Sequence, residues 1–128
     1  MAAWTPDELT RIGEAEELEV TSLRPDGSLR RWVPIWVVRH GDDLYIRSAY
    51  GPDNGWYRRA KASGAGRIRA GGIERDVTFA DAGDTDPRAL DAVYHAKYDR
   101  HGPRVVGTVV GEKVADLTLR LVPRDEES

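Results

Sequence analysis

Residues 18–40 hold two runs of alternating apolar and polar residues, LEVTSLR and LRRWVPIWVVRH, separated by the tetrapeptide PDGS. A period of two sends successive side chains to opposite faces, so each run suits a β-strand. The Pro-Asp-Gly turn between them predicts an antiparallel hairpin. This hairpin constrains the fold strongly, because both faces of its second run are substantially apolar. Arg31, Val33, Ile35 and Val37 share one face; Arg30, Trp32, Pro34, Trp36 and Val38 share the other. A strand apolar on both sides needs two covers, a barrel interior on one side and a partner or ligand on the other. Pro34 has no N–H for a ladder, which assigns it to a sheet edge or a bulge.

Other segments fill in around that hairpin. TPDELTRIGEAEEL predicts a first helix, with Thr5 as cap, Pro6 at the first helical position and Glu8 completing a capping box; Gly13 weakens its continuity. GDD turns the chain into a third strand, LYIRSA, and a short helix is expected at about 56–63. GRIRAGGIERDVTFADA predicts a second hairpin turning at Gly71-Gly72, and TDPRALDAVYHAKYDRHG a helix capped by Asp86 with Pro87 next. Residues 104–115 fit a helix or a strand equally, and ADLTLRLVP closes the series as a last strand. With 128 residues and no linker or repeat, the expectation is one domain over residues 1–128. Its fold class is mainly β: one antiparallel sheet curling into a small barrel, flanked by an N-terminal helix, a short inserted helix and a helix in the C-terminal half.

Composition narrows the function. There is no cysteine, which excludes disulfides, thiolate metal sites and cysteine nucleophiles. No apolar run approaches the roughly 20 residues of a membrane helix, and the first residues lack a secretory signal. A cytoplasmic protein without membrane partners is the expectation. The net charge is −3, yet residues 24–75 carry eleven basic and five acidic side chains. That basic middle suits a phosphate- or carboxylate-bearing ligand, or simply solvates exposed strand faces; the acidic flanks argue against a nucleic-acid partner. No metal site is expected, since His95 and His101 are six apart. Asp91 and His95, at i and i+4, suit a surface ion pair. No G-x-S-x-G, P-loop or G-x-G-x-x-G motif is present.

The stretch YIRSAYGPDNGWYRRA, residues 45–60, concentrates Arg47, Arg58 and Arg59 with Tyr50, Trp56 and Tyr57 around a Gly/Pro/Asn turn. A strand end followed by a helix start can converge charge-assisted donors on an anion, and the aromatic rings can stack on a planar ligand or pack in the core.

Together, SLRPDGSLRRWVPIWVV, GDDLYIRSAYG and GWYRRAKASGAGRIRAGG resemble the split-barrel flavin-binding superfamily. The resemblance is to its deazaflavin-dependent nitroreductase-like branch, and within it to a small bacterial domain-of-unknown-function group. It implies a split barrel binding FMN or the deazaflavin coenzyme and acting as an oxidoreductase on a small organic substrate; the second run's other apolar face, which needs a cover, adds the expectation of a homodimer. The resemblance also implies a set of cofactor-binding positions: Arg31, Trp36, Arg47, Ser48, Tyr50, Trp56 and Arg59. Trp36 and Trp56 would wall the ring, Arg31, Arg47 and Arg59 would hold the anion, and Ser48 would donate a hydrogen bond. Where that branch has Asn-Leu, Asn-Pro and His-Pro, this chain has Arg59-Ala60, Ser63-Gly64 and Asn54-Gly55. Those departures leave open a different flavin, a different anion or no cofactor. The second expectation is therefore a cofactor-free binding protein, isomerase or cyclase on the same fold. No residue is singled out as catalytic.

Overall fold

The computed structural model describes residues 3–49, 51–83 and 85–124. Helix α1 (Pro6–Glu14) starts with the expected reciprocal cap: Thr5 Oγ1 accepts from the Glu8 N–H at 3.1 Å, and Glu8 Oε1 accepts from the Thr5 N–H at 2.9 Å. Its buried Leu9 and Ile12 close one end of the main core.

Strands β1 (Leu18–Ser22), β2 (Val33–Ile35), β3 (Val38–His40), β4 (Asp43–Arg47), β5 (Ala65–Ala70), β6 (Ile73–Asp81) and β7 (Thr118–Pro123) form one sheet. All its pairs are antiparallel, in the order β2-β1-β5-β6-β7-β4-β3. That order dictates the curl. β2 and β3 lie at opposite edges, yet only Trp36 and Val37 separate them along the chain. A flat seven-stranded sheet would hold its edges about 29 Å apart at the usual strand spacing. Three residue steps reach about 11 Å at most. The sheet must therefore roll until its edges nearly meet, and the seam is closed by the chain itself. This is the expected split barrel.

The run 29–40 is thus not the single strand its alternation suggests. Leu29 makes only an isolated bridge to Leu23, β2 ends at Ile35, and β3 pairs with β4 instead of β1. Pro34 sits on the edge strand, exposed, as its missing N–H requires. The Gly71-Gly72 turn has φ of 57° and 83°, both in the left-handed region that a two-residue hairpin turn needs.

Helix α2 (Gly55–Ser63) packs on β1, and α3 (Pro87–Tyr98), capped by the Asp86 carboxylate on the Arg88 N–H, packs on β3. His101 lies in a short 3₁₀ turn (Asp99–His101) beyond α3. The ambiguous segment resolves into two single-turn helices, α4 (Pro103–Val106) and α5 (Glu112–Ala115). Two apolar clusters result. One fills the barrel around Leu18, Ile46, Trp56, Ile68 and Leu121; the other lies outside β3 and β4, around Tyr45, Leu90, Tyr94 and Tyr98.

Candidate functional site

The seam residue Trp36 is fixed from behind. Its indole stacks on Tyr98 with ring centroids 3.9 Å apart and planes 4° apart, and His101 tilts against it at 5.3 Å. Tyr98 Oη accepts from the Val37 N–H at 3.1 Å and directs its own proton toward the carbonyls of Glu16 and Val37. Lys97 Nζ donates to the same Val37 carbonyl at 2.6 Å. One turn of α3 therefore anchors the corner where the chain crosses from one sheet edge to the other. His95 bonds Asp99, not the Asp91 expected from spacing.

Burial of the Lys97 ammonium pushes its pKa down from 10.5 to about 8. Between those values the unfolded chain binds more protons than the native one, so stability rises with pH over that window. Burial raises the Tyr94 and Tyr98 pKa values, so their contribution is lost as pH climbs past 10. Chemical denaturation should show stability increasing from pH 8 toward 10 in the native sequence and a flat profile for Lys97→Met.

In front of Trp36 opens a groove of about 430 Å³. Val33 and Ile35 line one side; Asn54 and Trp56, at the start of α2, line another; Val105, Thr108 and Val109 close it from the segment around α4. Trp56 is buried, with Tyr57 edge-on at 5.9 Å. Asn54 caps α2 through its backbone only, which leaves its carboxamide without a capping bond.

Arg47 reaches the groove floor, but its guanidinium is committed elsewhere. Nε donates to Thr118 Oγ1 at 2.9 Å, Nη1 to Asp91 Oδ1 at 2.5 Å and to the Val109 carbonyl at 2.8 Å, and Nη2 to the Pro87 carbonyl at 3.1 Å. Tyr94 lies against its cationic face. Asp91 also accepts from the Gly111 N–H, so a single ion pair joins β4, β7, α3 and the 109–111 loop. Ser48 is fully buried, and its hydroxyl closes the turn by donating to the Gly51 carbonyl at 2.6 Å. Tyr50 lies outside the described residues.

Arg31 and Arg59 line a narrow crevice behind Trp56, together with Val33. Arg59 lies across Gly55, whose missing Cβ makes room for it: a Cβ there would come within 2.8 Å of Arg59 Nη1. The structure thus brings Trp36, Arg47 and Trp56 to one groove and Arg31 and Arg59 to the adjoining crevice, and sets Ser48 apart. The wall residues Val105, Thr108 and Val109 escaped sequence reasoning, because they lie in a segment without a clear period. Asp91 was visible as a charge but not as the partner of Arg47, 44 residues away. Among the described residues no three His, Asp or Glu side chains gather as a metal site, and no helix is long and apolar enough to cross a membrane.

No curated protein matches the sequence. Solved structures share the fold. The heme storage protein HutZ from Vibrio cholerae superimposes with a TM-score of 0.61 at 12% identity, covering 98% of this chain and 92% of that one. The conserved hypothetical protein Rv2991 from Mycobacterium tuberculosis gives 0.57 at 12% identity, over 97% and 83%. An F420 reductase gives 0.53 at 20% identity, over 91% and 92%. These likenesses establish the split-barrel architecture that the strand order already required. Residues 8–121, from within α1 into β7, match the family described as an uncharacterized protein conserved in bacteria (DUF2255), and the chain belongs to that family.

Proposed function

We propose that this chain binds a planar, anionic small molecule of the flavin or deazaflavin class, with its ring system in the groove between Trp36 and Trp56. The observation that carries the reading is the pair of indoles, one locked by its stack on Tyr98 and the other by burial, on a groove of ordinary ligand size. Rigid aromatic walls recognise a flat ring without losing side-chain entropy on binding. The residues fit such a group on the ring side, and Asn54 can hydrogen-bond a polar ring edge. On the anion side, Arg31 and Arg59 fit. Arg47 and Ser48 do not, because their donors are already engaged. A bound flavin or deazaflavin supplies hydride chemistry, so the protein's own part is to hold the ring, exclude water from one face and orient a small organic substrate over the other. In this reading the protein is a single-domain, cytoplasmic homodimer, the second copy covering the exposed Val105 and the apolar edge of the groove.

Titration with FMN and with the deazaflavin coenzyme, followed by visible absorbance and quenching of tryptophan fluorescence, tests this directly. One of the two is expected to bind, and Trp36→Ala should weaken it roughly tenfold or more, the scale of a lost stacking wall of ~1–3 kcal/mol. Absence of binding for both at large excess removes the redox reading. One observation favours a second reading, a cofactor-free binding protein: the arginine at the position matching the superfamily's phosphate contact is consumed by Asp91.

A further inference from the structure

A cleft of about 860 Å³ lies between α2 and the hairpin loop 23–30. Four arginines line it, Arg24 and Arg30 from the hairpin and Arg58 and Arg59 from the helix. Among the described residues no carboxylate forms an ion pair with any of the four. Asp26, on the same turn as Arg24, is engaged by the N–H and hydroxyl of Ser28. Arg24 commits Nη1 to Ser28 Oγ and the Leu29 carbonyl. Arg30 differs from the rest: its Nε is buried and has no hydrogen-bond partner.

An orphaned guanidinium donor under a cluster of like charges is costly unless an acceptor arrives from outside. Four other arginines are paired with carboxylates: Arg47 with Asp91, Arg67 with Asp76, Arg69 with Glu19 and Arg75 with Glu8. We propose that the Arg24, Arg30, Arg58 and Arg59 cleft is a binding site for a multiply charged phosphate, of the diphosphate class. A lone carboxylate would leave most of the four charges uncompensated. A diphosphate offers several charges and more oxygens, matching guanidinium forks that approach from opposite walls. The cleft shares Arg30 and Arg59 with the crevice behind Trp56, yet its occupant needs no ring. Nucleic acid is disfavoured by the acidic remainder of a chain whose net charge is −3.

Calorimetric titration with inorganic pyrophosphate tests the proposal. Saturable one-to-one binding is expected, weakening as salt is raised. Arg30→Met and Arg58→Glu should each lower affinity by about tenfold or more, as expected for a lost charge-assisted bond. Arg58 is exposed, so its variant folds regardless. Arg30→Met should keep or raise the melting temperature, because it removes an unsatisfied buried donor, and a structural arginine would do the opposite. Trp36→Ala should leave pyrophosphate affinity unchanged, which separates this site from the ring groove. ADP in a parallel titration identifies the source: equal affinity points to free diphosphate, and tighter binding points to a diphosphate ester. No pyrophosphate binding, unchanged affinity in both arginine variants, or tighter binding of a single-stranded oligonucleotide would each overturn the proposal.

Discussion

Replacing Arg47 with methionine is expected to lower the free energy of unfolding by about 3–5 kcal/mol, the usual cost of removing one partner from a buried ion pair. The side chain of Arg47 is 0% exposed and that of Asp91 is 22% exposed, so the abandoned carboxylate would remain largely out of water. The Val109 and Pro87 carbonyls and the Thr118 hydroxyl would lose their donor in the same step. Lysine should rescue little, since one ammonium cannot span four acceptors set around a planar fork. A double replacement, Arg47→Met with Asp91→Leu, should recover part of the loss because no charge is left stranded. Urea denaturation of the three variants provides the measurement. A stable Arg47→Met protein that had lost only ligand affinity would return Arg47 to the ligand side of the groove.

Gly66→Ala should be comparably damaging for a different reason. Gly66 faces Ser22 across the β1–β5 ladder, and a Cβ there would stand 2.0 Å from the Thr21 carbonyl oxygen and 2.9 Å from both Ser22 Cα and Phe79 Cε2. Two of those atoms are backbone in a paired strand and cannot step aside without breaking the register. Overpacking of this kind costs about 3 kcal/mol, at the upper end of the usual range. Gly55→Ala is the control: its closest neighbour is the tip of Arg59, a flexible side chain that can swing away. A pair of thermal melts decides it, and similar midpoints for the two variants would refute the account.

Much of the fold was legible where local chemistry decides the outcome. The Thr5–Pro6–Glu8 cap, the Gly71-Gly72 turn and the Asp86-Pro87 helix start all have the expected geometry. The break between β2 and β3 was not legible, because alternation along 29–40 is the same for a straight strand and for one that turns a corner. Only Pro34 hinted at an edge. The site divides similarly. The resemblance named Trp36 and Trp56, and both line the groove. Which arginine is free could not be read. Arg47 and Arg30 look alike in a sequence, and their opposite situations depend on whether a carboxylate from a distant helix reaches them.

The position of β7 has a consequence for how the protein comes into being. This strand is the last of the seven to be synthesised, yet it sits between β6 and β4 in the sheet. A chain still on the ribosome and short of residue 118 can form β2-β1-β5-β6 and β3-β4, but has nothing to join them. The same strand supplies the Leu121 carbonyl that receives the Trp4 indole N–H at 2.9 Å, so its arrival also fastens the N-terminal segment. Barrel closure must therefore follow translation of residues 118–123. Until then two open sheet edges await a common partner, making nascent chains the stage most exposed to mispairing.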